Sequence, residues 1–100
     1  MNNSIFKELL LDVCRNETDI VLAMAKNFPE TLDRVGDSGL TMLHLASYGG
    51  HVELVKGLLD LGANVHQKSL DGLDALKFAV AKQRMDVIDL LLSRGATFVK

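Results

Sequence analysis

The chain of 100 residues has one cysteine, one proline and no tryptophan. A single cysteine cannot form an internal disulfide, which agrees with a reducing compartment, so we expect a cytoplasmic or nuclear protein. The N-terminus has no basic stretch followed by an apolar core, so we expect no secretion signal. No apolar run approaches the roughly 20 residues that cross a membrane, and we expect no membrane partner.

Neither sign of charge dominates. Eleven lysines and arginines stand against thirteen aspartates and glutamates, for a net charge of −2. This balance provides neither a broad basic field for nucleic acid nor an acidic tail, so we expect no nucleic-acid partner. Apolar residues make up 48% and charged residues 24%, an ordinary balance for one globular domain.

What the sequence does contain is a segment that occurs twice at a fixed spacing. The copies cover residues 39–63 and 72–96, so that Gly39 corresponds to Gly72 and Ala46 to Ala79. The second copy lies 33 residues after the first. A fixed period of 33 residues is typical of stacked repeat proteins, in which each unit buries its apolar face on its neighbour. Such a stack offers a surface rather than a pocket, which favours binding over catalysis.

The first copy resembles the ankyrin repeat. The resemblance rests on GLTMLHLA at 39–46, GHVELVK at 50–56, Leu58-Leu59, and GANV at 62–65. It departs at Met42, where the family usually has proline; the second copy is more diverged, and residues 1–36 match only faintly. The resemblance implies an all-α solenoid of three stacked helix-turn-helix units with extended, hairpin-like loops. We assign an N-terminal capping repeat to 1–36, a central repeat to 37–69 and a C-terminal repeat to 70–100, together forming one domain over 1–100.

Apolar spacing and turn signals predict six helices. We expect Ser4, Thr41 and Asp74 to cap the first, third and fifth helices, because each has a short side-chain oxygen. Pro29 should end the second helix, in which Ile20 is expected to face inward. The predicted helices run from 4 to about 15–16, 18 or 19 to 27, 41 to 47–48, 52 to 60, 75 to 82, and 85 to 93.

The residues that invite a chemical role favour a structural one. The resemblance implies that His44 orders the start of its repeat through hydrogen bonds to nearby backbone and the Thr41 hydroxyl, and that His51 is also structural. His66 should be exposed in a loop, and no two histidines have the close helical spacing of a metal pair. We expect Cys14 to be buried or half-buried rather than a nucleophile. We therefore predict no catalytic residue, no metal and no cofactor, and hence no enzyme.

The resemblance also implies where a partner binds, since ankyrin repeats usually bind proteins through their loop tips and concave face. Three leucines in the turn segments either form an interface core or pack back on the helices, and both readings stay open. The sequence predicts a non-enzymatic protein-binding module and a monomer. We expect Phe98 to fold back at the position of Val65 and so to close the C-terminal end. The alternative is a structural or assembly unit that packs through this apolar end, as an oligomer or as part of a longer array. The corresponding contact positions are Arg15, Asp37, Ser38, Leu40, Tyr48, Leu70, Asp71, Leu73, Ala81 and Lys82.

Overall fold

The computed structural model describes residues 2–98, and within that range all regular structure is helical. Residues 1, 99 and 100, the outermost parts of the predicted first and last units, lie outside the described residues. The helices form three consecutive pairs in a stack with principal extents of 37 × 25 × 21 Å. They are α1 (Asn3–Cys14), α2 (Thr18–Asn27), α3 (Met42–Gly49), α4 (Val52–Asp60), α5 (Ala75–Ala81) and α6 (Met85–Ser93).

Short polar side chains start the first helix of each pair. The Thr41 hydroxyl accepts from the backbone N–H of His44, and the Asp74 carboxylate accepts from that of Lys77. The predicted cap Ser4 is wrong, because Asn2 fills this role and its side-chain oxygen accepts from the N–H of Ile5 (2.9 Å). Asparagine caps as well as serine does, so the helix begins earlier than the sequence predicted.

The units stack through a continuous apolar core. The first helices of the pairs, α1, α3 and α5, pack side by side, and α2, α4 and α6 form a second layer behind them. Gly57 lets these outer helices approach closely, because a methyl group placed on it would lie 2.5 Å from Cδ1 of Leu22. The largest fully buried apolar side chains are Leu9, Met42, Leu54, Leu58, Leu76, Leu91, Val13, Val21, Val55 and Val87.

The loops between the units form the predicted hairpin-like extensions. The N–H of Gly36 donates to the carbonyl of Leu40, and at the equivalent place in the next loop the N–H of Ser69 donates to the carbonyl of Leu73, both at 2.9 Å. The two loops are joined by the N–H of Leu70, which donates to the carbonyl of Ser38.

Backbone geometry explains why a glycine, Gly39, occupies the loop that precedes α3. Gly39 has φ of 73°, and a methyl group there would lie 2.9 Å from the backbone nitrogen of Leu70, so no larger residue fits without movement. The stretch 29–40, predicted as plain loop, also contains two 3₁₀ turns, Pro29–Leu32 and Asp37–Gly39.

Three burial predictions prove wrong. Ile20 is 51% exposed although the corresponding Leu54 is buried, because α4 packs between α2 and α6 whereas α2 is the first helix of the outer layer. Cys14 is exposed, since its helical neighbour Val13 points into the core and successive residues diverge by about 100°. Phe98 is 65% exposed, whereas Val65 is half-buried, so it does not close the last unit in the expected way.

Candidate functional site

His44 ties the central unit to the loop that follows it. Its Nδ1 accepts from the backbone N–H of Thr41 (3.0 Å), so Nε2 carries the proton and donates to the carbonyl of Gln67 (2.8 Å). The expected structural role is confirmed, although the bond to the imidazole comes from the Thr41 backbone and not from its hydroxyl. Burial lowers the pKa of His44 below 6.5, despite opposing contributions from the Gln67 carbonyl and Asp74.

An aromatic row continues from this histidine onto the surface between the central and last units. The ring of Phe78 lies 5.4 Å from that of His44 and meets the ring of Tyr48 edge-on at 6.2 Å. Tyr48 is 46% exposed, so its outer face is open to a partner. Edge-to-face packing holds the ring in one orientation, which makes it a rigid contact for another protein.

Two cations are held around Tyr48. The ammonium of Lys82 lies 5.2 Å from the centre of the Tyr48 ring, within the range of a cation–π contact. The Nε–H of Arg84 donates to the Tyr48 carbonyl (3.1 Å). We call Tyr48, Phe78, Lys82 and Arg84 the Tyr48 patch.

A groove lies between α1 and the first hairpin-like loop, with a volume of about 630 Å³. Phe6, Leu10 and Leu11 form one wall, and the loop and α3 supply the other through Leu40 and Leu45. The lining is mainly apolar, and it joins the first and central units on the side that bears the loops. A partner's apolar side chain could bury itself here.

The loop tips are exposed and mostly polar. Asp37, Ser38 and Asp71 are open to solvent, whereas Leu40 and Leu73 are half-buried and so divide their surface between the helices and the outside. Leu70 is 82% exposed. A leucine so open contributes little to the fold, which makes it available to a partner.

The structure brings together only some of the predicted contact residues. Lys82 reaches Tyr48, and the loops that contain Ser38 and Leu70 are hydrogen-bonded to each other. Ala81 is exposed at the end of α5 beside Lys82. Arg15 makes no such link, because it lies at the end of α1 with Nη1 3.7 Å from Asp12. The predicted set therefore forms a band along the stack rather than one cluster.

Sequence reasoning missed Phe78, Arg84 and Leu45. A signal for Arg84 existed, because it takes in the second copy the position that His51 has in the ankyrin-like first copy. Phe78 corresponds in the same way to Leu45. Phe78 and Arg84 put an aromatic ring and a cation at positions that face the preceding unit. This was a usable signal for a contact between the central and last units.

Metal-binding groups and membrane-spanning helices can be checked directly in the part of the chain that the structure describes. In the range 2–98, no group of three or more His, Cys, Asp and Glu side chains could hold a metal ion. None of the helices described is long and apolar enough to cross a membrane. The features that the described side chains do form are an aromatic row, an apolar groove and exposed loop tips.

Comparison with known proteins agrees with the stacked helical pairs. The sequence matches ankyrin repeats, in three copies, across residues 2–100. The chain belongs to the ankyrin-repeat family. Members of this family are generally protein–protein interaction modules and are typically non-enzymatic.

Several curated proteins are similar over all or part of the chain. Notch-regulated ankyrin repeat-containing protein B of Danio rerio is 30% identical over 91 residues, covering 91% of this chain and 82% of that protein. Protein phosphatase 1 regulatory subunit 27 of Mus musculus is 38% identical over 66% of this chain and 43% of its own length. E3 ubiquitin-protein ligase XBAT32 of Arabidopsis thaliana is 48% identical over 42% of this chain. This chain spans only 8% of XBAT32 and less than half of the phosphatase subunit.

Proposed function

We propose that this ankyrin-repeat protein is a non-enzymatic adaptor that binds a protein partner through its loop tips and concave face. The observation that carries the proposal is the Tyr48 ring, exposed yet held edge-on by Phe78. Exposed aromatic and arginine side chains held in a fixed position are typical of the few residues that dominate binding energy. The mechanism is rigid presentation, since a surface that is already ordered loses little entropy on binding.

The proposed contact surface runs the length of the stack. It begins at the groove between α1 and the first loop, passes the exposed Leu70 and the Tyr48 patch, and ends on α5. Its apolar part is flanked by the charged groups of Asp37, Asp71 and Lys82, which resembles an interface with a polar rim. We also propose a cytoplasmic or nuclear location, because a single cysteine cannot form an internal disulfide and so suits a reducing compartment.

Affinity capture with matched variants tests the proposal. The wild type, Tyr48→Ala and a Tyr48→Ala/Leu73→Ala double variant are immobilised in parallel, and captured proteins are quantified by mass spectrometry. Met85→Ala serves as the control, since Met85 is an exposed apolar residue at the start of the outer helix α6. We expect Tyr48→Ala to weaken binding of a captured partner by about 1 kcal/mol or more, with little change in the melting temperature. A partner that binds Tyr48→Ala as tightly as wild type would remove Tyr48 from the site.

A specific observation supports a second candidate, assembly through the C-terminal end of the stack. Val80, Leu92 and Phe98 are exposed there, and Phe98, Leu76 and Val80 border a cavity of about 220 Å³. A further helical unit or a second copy could cover this surface, as units cover one another inside the stack. Size-exclusion chromatography with light scattering distinguishes the candidates, because only assembly predicts a mass that rises with concentration and falls in Val80→Lys.

A further inference from the structure

The two cations of the Tyr48 patch are held in place without an acidic partner. Neither Lys82 nor Arg84 forms an ion pair with any carboxylate in the stretch 2–98, in contrast to Arg15, which pairs with Asp12, and Arg94, which pairs with Asp60. Asp86 is the acidic residue nearest to Arg84 in sequence, and it is exposed to solvent without pairing. Both cations contact Tyr48, and no carboxylate of the stretch 2–98 neutralises either of them, so their charge is available to an anion from a partner.

Uncharged groups of one residue fix both cations. The ring face of Tyr48 holds the ammonium of Lys82, and the Tyr48 carbonyl holds Nε of Arg84. The stem of Arg84 also lies across Gly50, where a methyl group would come within 2.7 Å of its Cδ. Because these contacts restrain long side chains before any partner arrives, less conformational entropy is lost when an anion binds.

The anion must also suit the apolar surroundings. Tyr48 and Phe78 place aromatic surface beside the cations, since the Phe78 ring meets the Tyr48 ring edge-on and Lys82 lies over the Tyr48 ring. The chain as a whole carries −2, so attraction of an acidic molecule to the patch depends on its own cations and not on a net positive charge.

We propose that the Tyr48 patch recognises a polypeptide segment in which an Asp or Glu carboxylate stands beside an apolar or aromatic residue. The carboxylate lies between Lys82 and Arg84, and the apolar neighbour packs on the Tyr48 ring. This inference rests on the proposed function and narrows it, because it names the chemistry of the partner segment.

The test uses a random-peptide library displayed on phage and selected on the full chain. We expect the enriched peptides to share an Asp or Glu next to an apolar residue. One enriched peptide is then synthesised and titrated by fluorescence anisotropy against Lys82→Met and Arg84→Met, which retain an apolar stem and remove the charge. Lys56→Met is the matched control, because Lys56 is an exposed lysine on the outer helix α4.

Each patch variant should bind about five- to tenfold more weakly than wild type, and the control should bind equally. Changing the peptide's Asp or Glu to its amide should cause a similar loss in wild type and a smaller one in the Met variants. Added salt should weaken the wild-type complex more than the variant complexes. Thermal melts of every variant show whether a loss of binding reflects unfolding. A Lys82→Arg variant that binds as wild type does, unlike Lys82→Met, supports a charge effect.

Other outcomes overturn the inference. Peptides that lack acidic residues, a library that yields no binder, or peptides unaffected by both Met variants would each count against an acidic segment. A single-stranded oligonucleotide that binds in their place would assign the cations to phosphate. If Tyr48→Ala abolishes binding of a selected peptide and the Met variants do not, the proposed function stands and only the acidic chemistry falls. If neither kind of variant changes binding, the surface itself is wrong.

Discussion

Ser47 carries a buried hydroxyl that the fold does not use. The residue is fully buried in α3, and its Oγ has no hydrogen-bond partner among residues 2–98. Most buried hydroxyls in helices bond to a backbone carbonyl or a neighbour, so an unpaired one is a local defect. We therefore predict that Ser47→Ala stabilises the protein.

The size of the effect follows from three contributions. A buried polar group without a partner costs about 1–3 kcal/mol, which the substitution recovers in part. Alanine also has a higher helix propensity than serine, by about 0.5 kcal/mol. Against these gains stands the loss of contacts around a single oxygen atom. The net expectation is a gain of about 1–2 kcal/mol, which in a domain of this size raises Tm by about 4–8 °C per kcal/mol.

Urea unfolding followed by circular dichroism measures the change. The midpoint should rise while the slope with denaturant stays the same, because the surface exposed on unfolding is unchanged. Ser93→Ala is the control: Ser93 is exposed and its hydroxyl donates to the carbonyl of Leu90 (2.6 Å), so this change should shift stability by no more than about 0.5 kcal/mol. A Ser47→Ala variant less stable than wild type would refute the reasoning and mean that the hydroxyl is paired in solution.

Two further predictions concern the core and the buried histidine. Leu58→Ala should lower the free energy of unfolding by about 2–5 kcal/mol, out of a total of roughly 5–15 kcal/mol, because Leu58 is fully buried. Leu61→Ala should cost much less, because Leu61 is partly exposed. An unchanged thermal melt for Leu58→Ala would contradict the core assignment. Burial lowers the pKa of His44 in the folded state, so the unfolded chain takes up the proton first as pH falls below 6.5. The free energy of unfolding should therefore decrease from pH 6.5 down to the pKa of His44 in the folded protein, and then level off. Urea midpoints measured across this pH range should fall less in His44→Asn than in wild type, and should fall as in wild type in the control His66→Gln. If the midpoints of His44→Asn fall as much as those of wild type, the decline belongs to other groups.

The helices were largely predictable from the sequence, because local signals mark their ends. Asp74 begins α5 and Gly62 follows α4 soon after its end, and such residues act through the backbone of their own turn. The first helix shows the limit of this reasoning. Asn2 and Ser4 offer the same capping chemistry, and only the three-dimensional path of the chain selects between them.

The candidate site was predictable only in part, because its geometry depends on contacts between units. The fixed period of the sequence tells which residues correspond, but it does not say which of them touch across the boundary. Arg84 illustrates this, since its bond to the Tyr48 carbonyl spans 36 residues. Ile20 shows the same limit. It corresponds to the buried Leu54 of α4, which packs between α2 and α6, yet it is exposed because α2 is the first helix of the outer layer.

The contacts that join the central and last units also shape the surface offered to a partner. The Ser38 carbonyl accepts from the N–H of Leu70, and the Nε–H of Arg84 donates to the Tyr48 carbonyl. Each bond therefore both stabilises the boundary and sets the position of a tip or patch residue. A shift of one unit against the next would separate Lys82 from Tyr48 and the two loops from each other without unfolding any helix. Binding should therefore be lost before helix content when this boundary is weakened, because recognition needs two units in register whereas each helix bonds mainly within itself.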